Sequence, residues 1–494
     1  MMSDIKQMES LLSTQIPLVV IESHEEQKVI NLLERVASLN RQGFYVWNLS
    51  HGLRRWNGGD QPYNTQELVE ALRHIEKSPQ NGVFLFLDAH PFMDNPLVIR
   101  TIKNIAQKYE LVPRMQVFLS ARISLPEELS RMAVSFKPKL PDRNAIRALV
   151  QEEIGKYLGA SGTKVTGQRE ALEMLIQHVG GLSEEDARRL IRVAIRDDGK
   201  ITLSDIGKVL KTKHEFLRSS EILNLETGIA NLEELGGLKN LKRWLAVRRE
   251  IFLSGDPSGP LPAPKGVLLL GVQGAGKSLA AKTVAGAWYL PLFRLDFGTL
   301  YDKFHGETER NLREALSIAG AMSPCVLWMD EIEKGISGDA DGTSDGGVSQ
   351  RVLGTLLTWM AERRGRVFLV ATANDIQRLP PELLRKGRFD EIFFIDLPQD
   401  EARRQILRIH LQRRKLDPAG FDLERLSAAS NGFSGAEIEQ AIVSALYEAL
   451  AAKQALGSEH VLAEIGRTRP LSVIMAEKVQ ALREWALQRA VLAD

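Results

Sequence analysis

The sequence contains a single cysteine, Cys325, among its 494 residues. One cysteine excludes an intrachain disulfide framework and any site built from paired cysteine ligands. Long apolar runs are also missing: residues 83–87 and 267–270 are strand length, well short of the ~18 residues that a membrane span needs. These absences favour a protein of a reducing compartment that does not cross a bilayer.

A large net charge of either sign is absent as well. Lys plus Arg total 64 and Asp plus Glu total 63, so the formal net charge is +1. This balance predicts neither nucleic acid nor an anionic membrane as the main partner. The first residues carry Asp4, Glu9 and Glu22 around a short apolar stretch, without a basic start or a small-residue cleavage site. We therefore expect no export signal, no membrane insertion and a cytoplasmic location.

The overall composition, 44% apolar and 26% charged, is typical of globular proteins. At roughly 150 residues per domain, the length leaves room for about three domains. Short apolar runs alternate with helical patterns in two regions, which predicts two parallel sheets flanked by helices. The predicted parts are a nucleotide-binding-like α/β domain over residues 1–141, a helical subdomain over 142–216, a large α/β subdomain over 217–399, and a helical lid with C-terminal helices over 400–494.

The two halves of the chain share a long-period repeat. Each half reads as a strand, a helix, a hydrophobic strand that ends in Asp88 or Asp330, a further strand and a helical bundle. Two later helices also start alike, after Gly181 and Gly432, with matching serine, acidic and isoleucine positions. The repeat predicts that one fold occurs twice.

Phosphate binding is indicated by the segment Gly271-Val-Gln-Gly274-Ala-Gly276-Lys277-Ser278, which follows an apolar strand and opens a helix. Glycines let successive N–H groups point at phosphate oxygens, and the helix N-terminus adds its positive dipole end. We expect Lys277 to reach the β- and γ-phosphates and Ser278 to bind Mg²⁺. The predicted cofactors are ATP and Mg²⁺.

Two carboxylates follow the next buried strand. Residues 325–329 form an apolar run that leads into Asp330 and Glu331. A central parallel strand delivers such residues to the edge at which α/β sheets bind ligands. Asp330 suits the metal, and Glu331 suits polarisation of the attacking water. The amide of Asn374, after the strand predicted over residues 367–371, can orient that water; a turn residue is the alternative reading.

Two arginines, Arg385 and Arg388, precede the strand predicted over residues 391–395. Arginine stabilises the charge that develops on a transferring phosphoryl group, and a neighbouring subunit can supply it. A solvated basic loop is the alternative for this pair.

Together these motifs resemble an AAA+ ATPase module of the AAA subgroup, continuous from about residue 232 to residue 450. The resemblance implies a P-loop sheet with a helical lid. It also implies Walker A and Walker B motifs, a sensor 1 residue at Asn374, and trans-acting arginine fingers at Arg385 and Arg388. The whole chain resembles AAA proteins encoded in algal chloroplast genomes, cyanobacteria and other bacteria.

The resemblance extends to the nucleotide contacts. Gly236 matches the adenine-side loop, His410 matches a lid residue near the adenine, and Gly435 with Ala436 matches the lid pair that contacts nucleotide. One departure is the pair Val272-Gln273, where the subgroup usually has two prolines. The residues expected at the nucleotide are Gly236, Gly271, Gln273, Gly274, Ala275, Gly276, Lys277, Ser278, Leu279, His410, Gly435 and Ala436; the catalytic set is Lys277, Glu331, Asn374, Arg385 and Arg388; and the metal ligands are Ser278 and Asp330.

A loop around residue 304 resembles the first pore loop of such rings, in which an aromatic residue grips polypeptide in a central channel. Its candidate residues are Phe304, His305 and Gly306. Packing of the aromatic ring under its own loop is the alternative. The Gly-, Asp- and Ser-rich residues 335–347 lack the fixed acid spacing of calcium loops, so we interpret them as the second pore loop.

The first half departs from the ATPase pattern. Its first strand leads into Glu22-Ser-His-Glu25-Glu26, which contains no glycine, and Asp88 is followed by Ala89 rather than by a carboxylate. Three carboxylates close to phosphates would oppose nucleotide binding by like-charge repulsion. We interpret this half as a degenerate AAA-like or RecA-like domain used for assembly or partner binding.

Three functions remain open at this stage. The first is a hexameric, homo-oligomeric ring that couples ATP hydrolysis to moving or unfolding a macromolecule, with protein favoured as the substrate. The second is an ATP-dependent assembly switch that recruits partners through the degenerate domain. The third, a nucleic-acid motor, depends on the basic helix around residues 403–415, for which a solvated helix face is the favoured interpretation.

The pore-loop interpretation makes one prediction. Phe304→Ala should keep ATPase activity and assembly but lose stimulation of turnover by substrate, because an aromatic ring grips side chains of any sequence through apolar contact. A packing role would instead lower the melting temperature. A variant that is as stable and as active as the parent on every partner captured with Glu331→Gln would exclude threading through this loop.

Overall fold

A computed structural model describes residues 2–56, 58, 64–161, 166–196, 199–217, 222–254, 261–297, 308–336, 348–363, 365–385 and 387–494. The predicted pore-loop residues Phe304, His305 and Gly306 lie outside these ranges, as does most of the predicted second pore loop. The chain forms two compact units, one of Met1–Asp142 with Ser183–Asp186 and one of Arg143–Leu182 with Ala187–Asp494. The four-part division remains a prediction. Within the ranges described, no helix has both the length and the apolar character that a membrane span requires.

The first unit contains a six-stranded sheet in the order β3-β2-β4-β5-β1-β6. All neighbouring strands are parallel except β2 and β3. Its strands are β1 (Leu18–Glu22), β2 (Gly43–Asn48), β3 (Gly52–Arg55), β4 (Gly82–Leu87), β5 (Arg114–Ser120) and β6 (Ala133–Phe136), and its helices are α1 (Met2–Ser13), α2 (Glu26–Leu39), α3 (Leu68–Lys77), α4 (Pro96–Gln107) and α5 (Glu127–Ser130).

Both faces of this sheet are covered. Val19 and Ile21 of β1 point into one apolar core, whereas Leu18 points into the other. Successive strand side chains face opposite sides, so a strand that is buried on both faces needs a continuous apolar run. The runs in β1 and β4 meet this need, as the alternation of short apolar runs and helices predicts.

A helical part follows within the second unit. It consists of α6 (Arg143–Ser161), α7 (Arg169–Val179), α8 (Glu184–Ile195, whose first residues belong to the first unit), α9 (Leu203–Leu217) and the two-residue strands β7 (Thr166–Gly167) and β8 (Lys200–Ile201). These helices bury their own apolar core, which includes Leu175, Leu190 and Val209.

The second unit also contains a seven-stranded sheet in the order β15-β14-β10-β13-β12-β11-β9. Neighbours are parallel except β9 and β11. The strands are β9 (Leu223–Glu226), β10 (Gly266–Gly271), β11 (Leu292–Leu295), β12 (Cys325–Met329), β13 (Val367–Ala373), β14 (Glu391–Ile395) and β15 (Val491–Leu492), and the helices around them are α10 (Lys239–Ser254), α11 (Lys277–Trp288), α12 (Thr308–Ala321), α13 (Ile332–Ile336) and α14 (Val348–Glu362).

The remaining helices form a small cluster with its own apolar core and a C-terminal extension. Two of them, α16 and α17, begin at side-chain caps, Asp422 and Ser434. The helices are α15 (Asp400–Arg413), α16 (Leu423–Ala429), α17 (Gly435–Ala451), α18 (Ser458–Arg467), α19 (Leu471–Ile474) and α20 (Ala476–Arg489).

The two large sheets share one strand order. In the first, β6-β1-β5-β4-β2 are neighbours, and in the second, β14-β10-β13-β12-β11 are neighbours. Counted along the chain, these five strands correspond one to one, so the topology agrees with the repeat seen in the sequence. The predicted fold class, a P-loop-type parallel sheet with a helical lid preceded by a similar α/β domain, is confirmed.

Some elements differ from the predicted pattern. The last helix, predicted over residues 475–492, ends at Arg489, and Val491 and Leu492 instead form β15 on the edge of the sheet. Helical periodicity cannot distinguish a final apolar pair that continues a helix from one that pairs with a distant strand. The edge strands β3 and β6 and the helix α18 were not predicted, because they are short or weakly apolar.

A buried lysine, Lys213, links α9 to the C-terminus of α7. Lys213 of α9 has no exposed surface, and its ammonium donates hydrogen bonds to the carbonyls of His178 (2.8 Å) and Gly180 (2.7 Å). These are among the carbonyls that α7 leaves unpaired at its C-terminus, where a positive charge is favourable. Burial lowers the pKa of Lys213 to about 8 and that of His178 to about 3.

This lysine generates a pH prediction. Between the pKa of about 8 in the folded chain and the ordinary value of 10.5, the unfolded chain binds the extra proton, so stability rises with pH. Lys213→Met removes this contribution. The melting temperature of the parent, relative to that of Lys213→Met, should therefore increase from pH 8 to pH 10.5. Lys211→Met, on the exposed side of α9, is the control, and parallel pH profiles for parent and Lys213→Met would contradict the prediction.

Candidate functional site

The glycine-rich loop joins β10 to α11 at the carboxyl edge of the second sheet. A Cβ atom on Gly271 would lie 2.1 Å from the carbonyl oxygen of Ile395, so only glycine permits this strand contact. Gly274 (φ 76°) and Gly276 (φ 99°) adopt left-handed backbone conformations, which glycine enters at little cost. The loop therefore has the backbone that a phosphate cradle needs, directly before the N-terminus of α11.

Lys277, the first residue of α11, is 6% exposed. Its ammonium donates hydrogen bonds to the carbonyls of Gly271 (2.9 Å) and Val272 (2.8 Å), so it lies against the loop. Burial lowers its pKa to about 8, although the carboxylates of Glu333, Asp330 and Glu331 act in the opposite direction. Leu279 lies in the same first helical turn and packs against the core.

Asp330, the residue after β12, lies beside Ser278, the second residue of α11. Its Oδ1 accepts a hydrogen bond from Ser278 Oγ (3.3 Å) and a second from Thr372 Oγ1 (2.6 Å). A hydroxyl and a carboxylate are the hard oxygen ligands that Mg²⁺ prefers, and Mg²⁺ is usually held by one or two protein ligands together with substrate phosphates. The donor set fits Mg²⁺.

Glu331 and Asn374 are in direct contact. Asn374 Nδ2 donates a hydrogen bond to Glu331 Oε1 (2.7 Å), and the backbone N–H of Glu331 donates to Thr372 Oγ1 (3.0 Å). Glu331 has a left-handed backbone (φ 49°), an uncommon conformation for a residue with a side chain. Its other carboxylate oxygen forms an ion pair with Lys334, which raises the pKa of Lys334.

Three residues of this cluster were not predicted: Thr372, Glu333 and Lys334. Glu333 is 3% exposed, accepts a hydrogen bond from the backbone N–H of Asn374 (2.9 Å), and has a pKa that burial raises. Thr372 could have been found from the sequence, because it ends the same apolar strand as Asn374. Glu333 could not, since an acidic residue at a helix start is usually solvated.

The start of α17 touches the glycine-rich loop. The N–H of Ala436 donates a hydrogen bond to the carbonyl of Gly274 (3.2 Å). A Cβ on Gly274 would lie 2.9 Å from Ser434 Oγ, so the glycine also makes room for this helix start. Ser434 caps α17 and, with Glu437, forms a capping box. The predicted lid residues Gly435 and Ala436 are therefore adjacent to the loop.

A cavity of about 310 Å³ lies next to Ala275 of the glycine-rich loop. Gly236 and Ala275 both line it, and a Cβ on Gly236 would lie 2.7 Å from Ile406 Cγ1 of α15. His410, one turn further along α15, lies with its Nδ1 3.4 Å from a carboxylate oxygen of Glu439, and burial lowers its pKa. Gly236 and Ala275 therefore line the same cavity.

A second cavity, of about 380 Å³, lies between the loop and the C-terminal helix. Gln273 and Asn374 line it together with Lys478, Val479 and Leu482 of α20. The loop position that carries Gln273 therefore faces α20.

The two predicted arginines lie apart from this cluster. Arg388 donates a hydrogen bond to the carbonyl of Leu357 on α14, and Arg385 is exposed. Neither makes a contact with the glycine-rich loop in the part of the chain that the structure describes. A role at the phosphates of the same chain has no support from these positions.

Several basic residues in and just after α15 have acidic or carbonyl partners. Arg403 is 7% exposed and donates to the carbonyls of Ser427 and Pro398 (2.9 Å each), so the solvated-face interpretation is wrong for this residue. The other paired side chains are Arg404 with Asp400, Arg413 with Glu234, and Arg414 with Glu439. In these three pairs an acidic side chain offsets the positive charge of the arginine.

Comparison with known proteins agrees with this geometry. The sequence matches the family descriptions "SpoVK-like AAA ATPase, N-terminal domain" over residues 4–138, "SpoVK-like AAA ATPase, second domain" over 144–220, and "ATPase family associated with various cellular activities (AAA)" over 267–397. It is 34% identical to the AAA domain-containing protein ycf46 of Guillardia theta over 492 residues, which are 98% of this chain and 95% of that protein.

The chain belongs to the SpoVK-like AAA ATPase family.

Other relatives match either nearly the whole chain or less than half of it. The ycf46 protein of Pyropia yezoensis is 34% identical over 96% of both chains. The proteasome-activating nucleotidase of Aeropyrum pernix is 39% identical over 193 residues, which are 38% of this chain and 46% of that protein. Similarity to the ycf46 proteins thus covers both units.

The P-loop of this AAA ATPase departs from the usual pair of prolines in a way that the structure explains. The N–H of Val272 donates a hydrogen bond to the carbonyl of Ile395 on β14 (3.2 Å), and a proline has no N–H to donate. Val272 thereby ties the loop to the adjacent strand through a bond that the usual sequence cannot make.

The corresponding edge of the first unit has no phosphate cradle. Three residues, 23–25, connect β1 to α2, whereas five residues, 272–276, connect β10 to α11. The shorter connection contains no glycine, and Ala89 follows Asp88 where a second carboxylate would be needed. The interpretation of this half as a degenerate domain remains a prediction.

The cluster predicts different outcomes for two substitutions. Lys277→Ala should lose ATP binding, whereas Glu331→Gln should keep binding and lose turnover by a factor of ~10² or more, because only the second removes the group placed to polarise water. Nucleotide binding by fluorescence and phosphate release measure the two effects. Normal hydrolysis by Glu331→Gln would contradict the assignment.

Proposed function

We propose that the second unit binds and hydrolyses ATP with Mg²⁺. The observation that carries this proposal is the meeting of Lys277, Asp330 and Glu331 at one edge of the sheet, where hydrogen bonds through Thr372 and Asn374 fix their positions. A glycine loop at a helix N-terminus supplies phosphate binding, and the carboxylates supply metal binding and water activation.

Each residue of the cluster has a proposed role. Lys277 contacts the β- and γ-phosphates, and Ser278 and Asp330 hold Mg²⁺. Glu331 accepts the proton of the attacking water, while Asn374 orients both the water and the Glu331 carboxylate with which it forms a hydrogen bond. Mg²⁺ supplies neutralisation of phosphate charge when bound.

We propose further that six copies of the chain assemble into a homo-oligomeric, hexameric ring. Arg385 and Arg388 lie away from the phosphate loop of their own chain, and Arg385 is exposed, which supports action on a neighbouring subunit. An arginine supplied in trans stabilises transition-state charge in related phosphoryl-transfer sites. The ring would also bring Phe304 of each subunit to one channel.

We favour protein as the substrate of this machine. The relative from Aeropyrum pernix is named as a nucleotidase that activates the proteasome, and three arginines of the basic cluster, Arg404, Arg413 and Arg414, are already paired with acidic side chains of the same chain. The deciding experiment measures phosphate release with an unfolded protein, with single-stranded nucleic acid and with neither. Stimulation by unfolded protein alone supports remodelling, and stimulation by neither favours an ATP-dependent assembly switch.

The arginine assignment predicts a result for mixed rings. Arg388→Ala should leave ATP affinity nearly intact but abolish hydrolysis, because the finger acts mainly on transition-state charge. Lys277→Ala subunits still carry intact fingers. Adding them to Arg388→Ala subunits should therefore restore partial turnover at the mixed interfaces. If rings shown to be mixed recover no activity, the arginines act within their own chain or are structural.

A further inference from the structure

The connection between β1 and α2 ends in a carboxylate that is almost enclosed. The Glu25 side chain is 10% exposed, although it lies at a loop-to-helix junction, where acidic side chains are usually solvated. A nearly enclosed carboxylate requires partners that offset its lost hydration. Its two oxygens have separate partners.

One partner is a cation and the other is a helix N-terminus. Glu25 Oε2 lies 2.9 Å from the ammonium of Lys28, and Glu25 Oε1 accepts a hydrogen bond from the backbone N–H of Glu184 (2.7 Å). Glu184 is the first residue of α8, and the segment Ser183–Asp186 belongs to the first unit. An ammonium together with a helix N-terminal N–H is the same pair of groups that binds a phosphate in a P-loop.

The second unit has a contact at the equivalent position. Glu25 and Gly274 each stand three residues after the last residue of their strands, β1 and β10. Gly274 accepts, through its carbonyl, a hydrogen bond from the N–H of Ala436 at the start of α17. The repeat thus places a loop acceptor against a helix start in both units.

The two helix starts are built alike. Ser183 Oγ accepts a hydrogen bond from the N–H of Asp186 (3.1 Å), as Ser434 Oγ does from the N–H of Glu437 (3.4 Å). The acidic side chain at the third helical position accepts a hydrogen bond from the capping residue in both, from the Ser183 hydroxyl to Asp186 Oδ2 (2.8 Å) and from the backbone N–H of Ser434 to Glu437 Oε2 (2.8 Å); the second bond completes a capping box. The acceptors differ: a carbonyl in the second unit and a charged carboxylate in the first.

We propose that Glu25 replaces a nucleotide phosphate in the first unit as a built-in anion. It holds the segment Ser183–Asp186 in place without any nucleotide. The Glu25 carboxylate contacts both the Lys28 ammonium and the N-terminus of α8. A phosphate could bind these two groups only by displacing the carboxylate. The first unit is therefore permanently in the arrangement that a bound anion would produce.

The test is amide hydrogen exchange on the full-length chain, read in the peptide that spans residues 182–187. Glu25→Ala should speed exchange there by about ten- to a hundredfold, the loss expected for one hydrogen bond to a charged group. Glu25→Gln, which keeps an acceptor but not the charge, should give an intermediate rate. Glu26→Ala, at the exposed neighbouring position, is the matched control and should not change exchange.

Nucleotide provides the second arm. Adding ATP with Mg²⁺ to the parent should slow exchange at the start of α17 and leave residues 182–187 unchanged. ATP-dependent protection of residues 182–187, or parent-like exchange there in Glu25→Ala, would overturn the inference. Failure of the α17 peptide to respond would instead contradict the proposed ATP site, so the two ideas fail separately.

Discussion

The candidate site depends on the parallel register of β12 and β13. Met329 pairs with Ala371, so Asp330, the first residue after β12, lies beside Thr372, which is still within β13. Their hydrogen bond then fixes the carboxylate that faces Ser278. A slip of one residue would turn every side chain to the opposite face of the sheet. The buried apolar residues on both faces of β12 and β13 make such a slip costly, and catalytic geometry is thus a consequence of core packing.

The two sheets share one strand order but carry different loops at their carboxyl edges. Both units place the first strand of the repeat between the counterparts of β13 and β14, so a loop after that strand always lies at the carboxyl edge. In the second unit five residues with two left-handed glycines, Gly274 and Gly276, form the loop. In the first unit the connection has three residues and ends in Glu25. The sheet supplies the location, and the length and glycine content of the loop decide the chemistry.

Much of this could be predicted from the sequence, for identifiable reasons. Central strands such as β4 and β12 are continuous apolar runs, and Lys277 and Asp330 belong to motifs whose spacing is tied to a strand end. Edge strand β15 could not be predicted, because its pairing with β14 involves residues about a hundred positions apart. Nor could the partners of Glu25, because a hydrogen bond to Glu184 depends on tertiary structure and leaves no local signal.

The two loop-to-helix contacts differ in the charge of the acceptor, which is the neutral carbonyl of Gly274 in the second unit and the carboxylate of Glu25 in the first. A neutral hydrogen bond such as that between Ala436 and Gly274 contributes about 0.5–1.5 kcal/mol, and one to a charged acceptor such as Glu25 is roughly twice as strong. A ligand shifts an equilibrium only by its differential affinity for the two states. The contact in the second unit is weaker and its acceptor is uncharged, so the negative charge of a bound phosphate would add to the attraction at the start of α17. If Glu25 acts as the built-in anion proposed above, a negative charge already lies at this position in the first unit, and nucleotide would have no charge to add there.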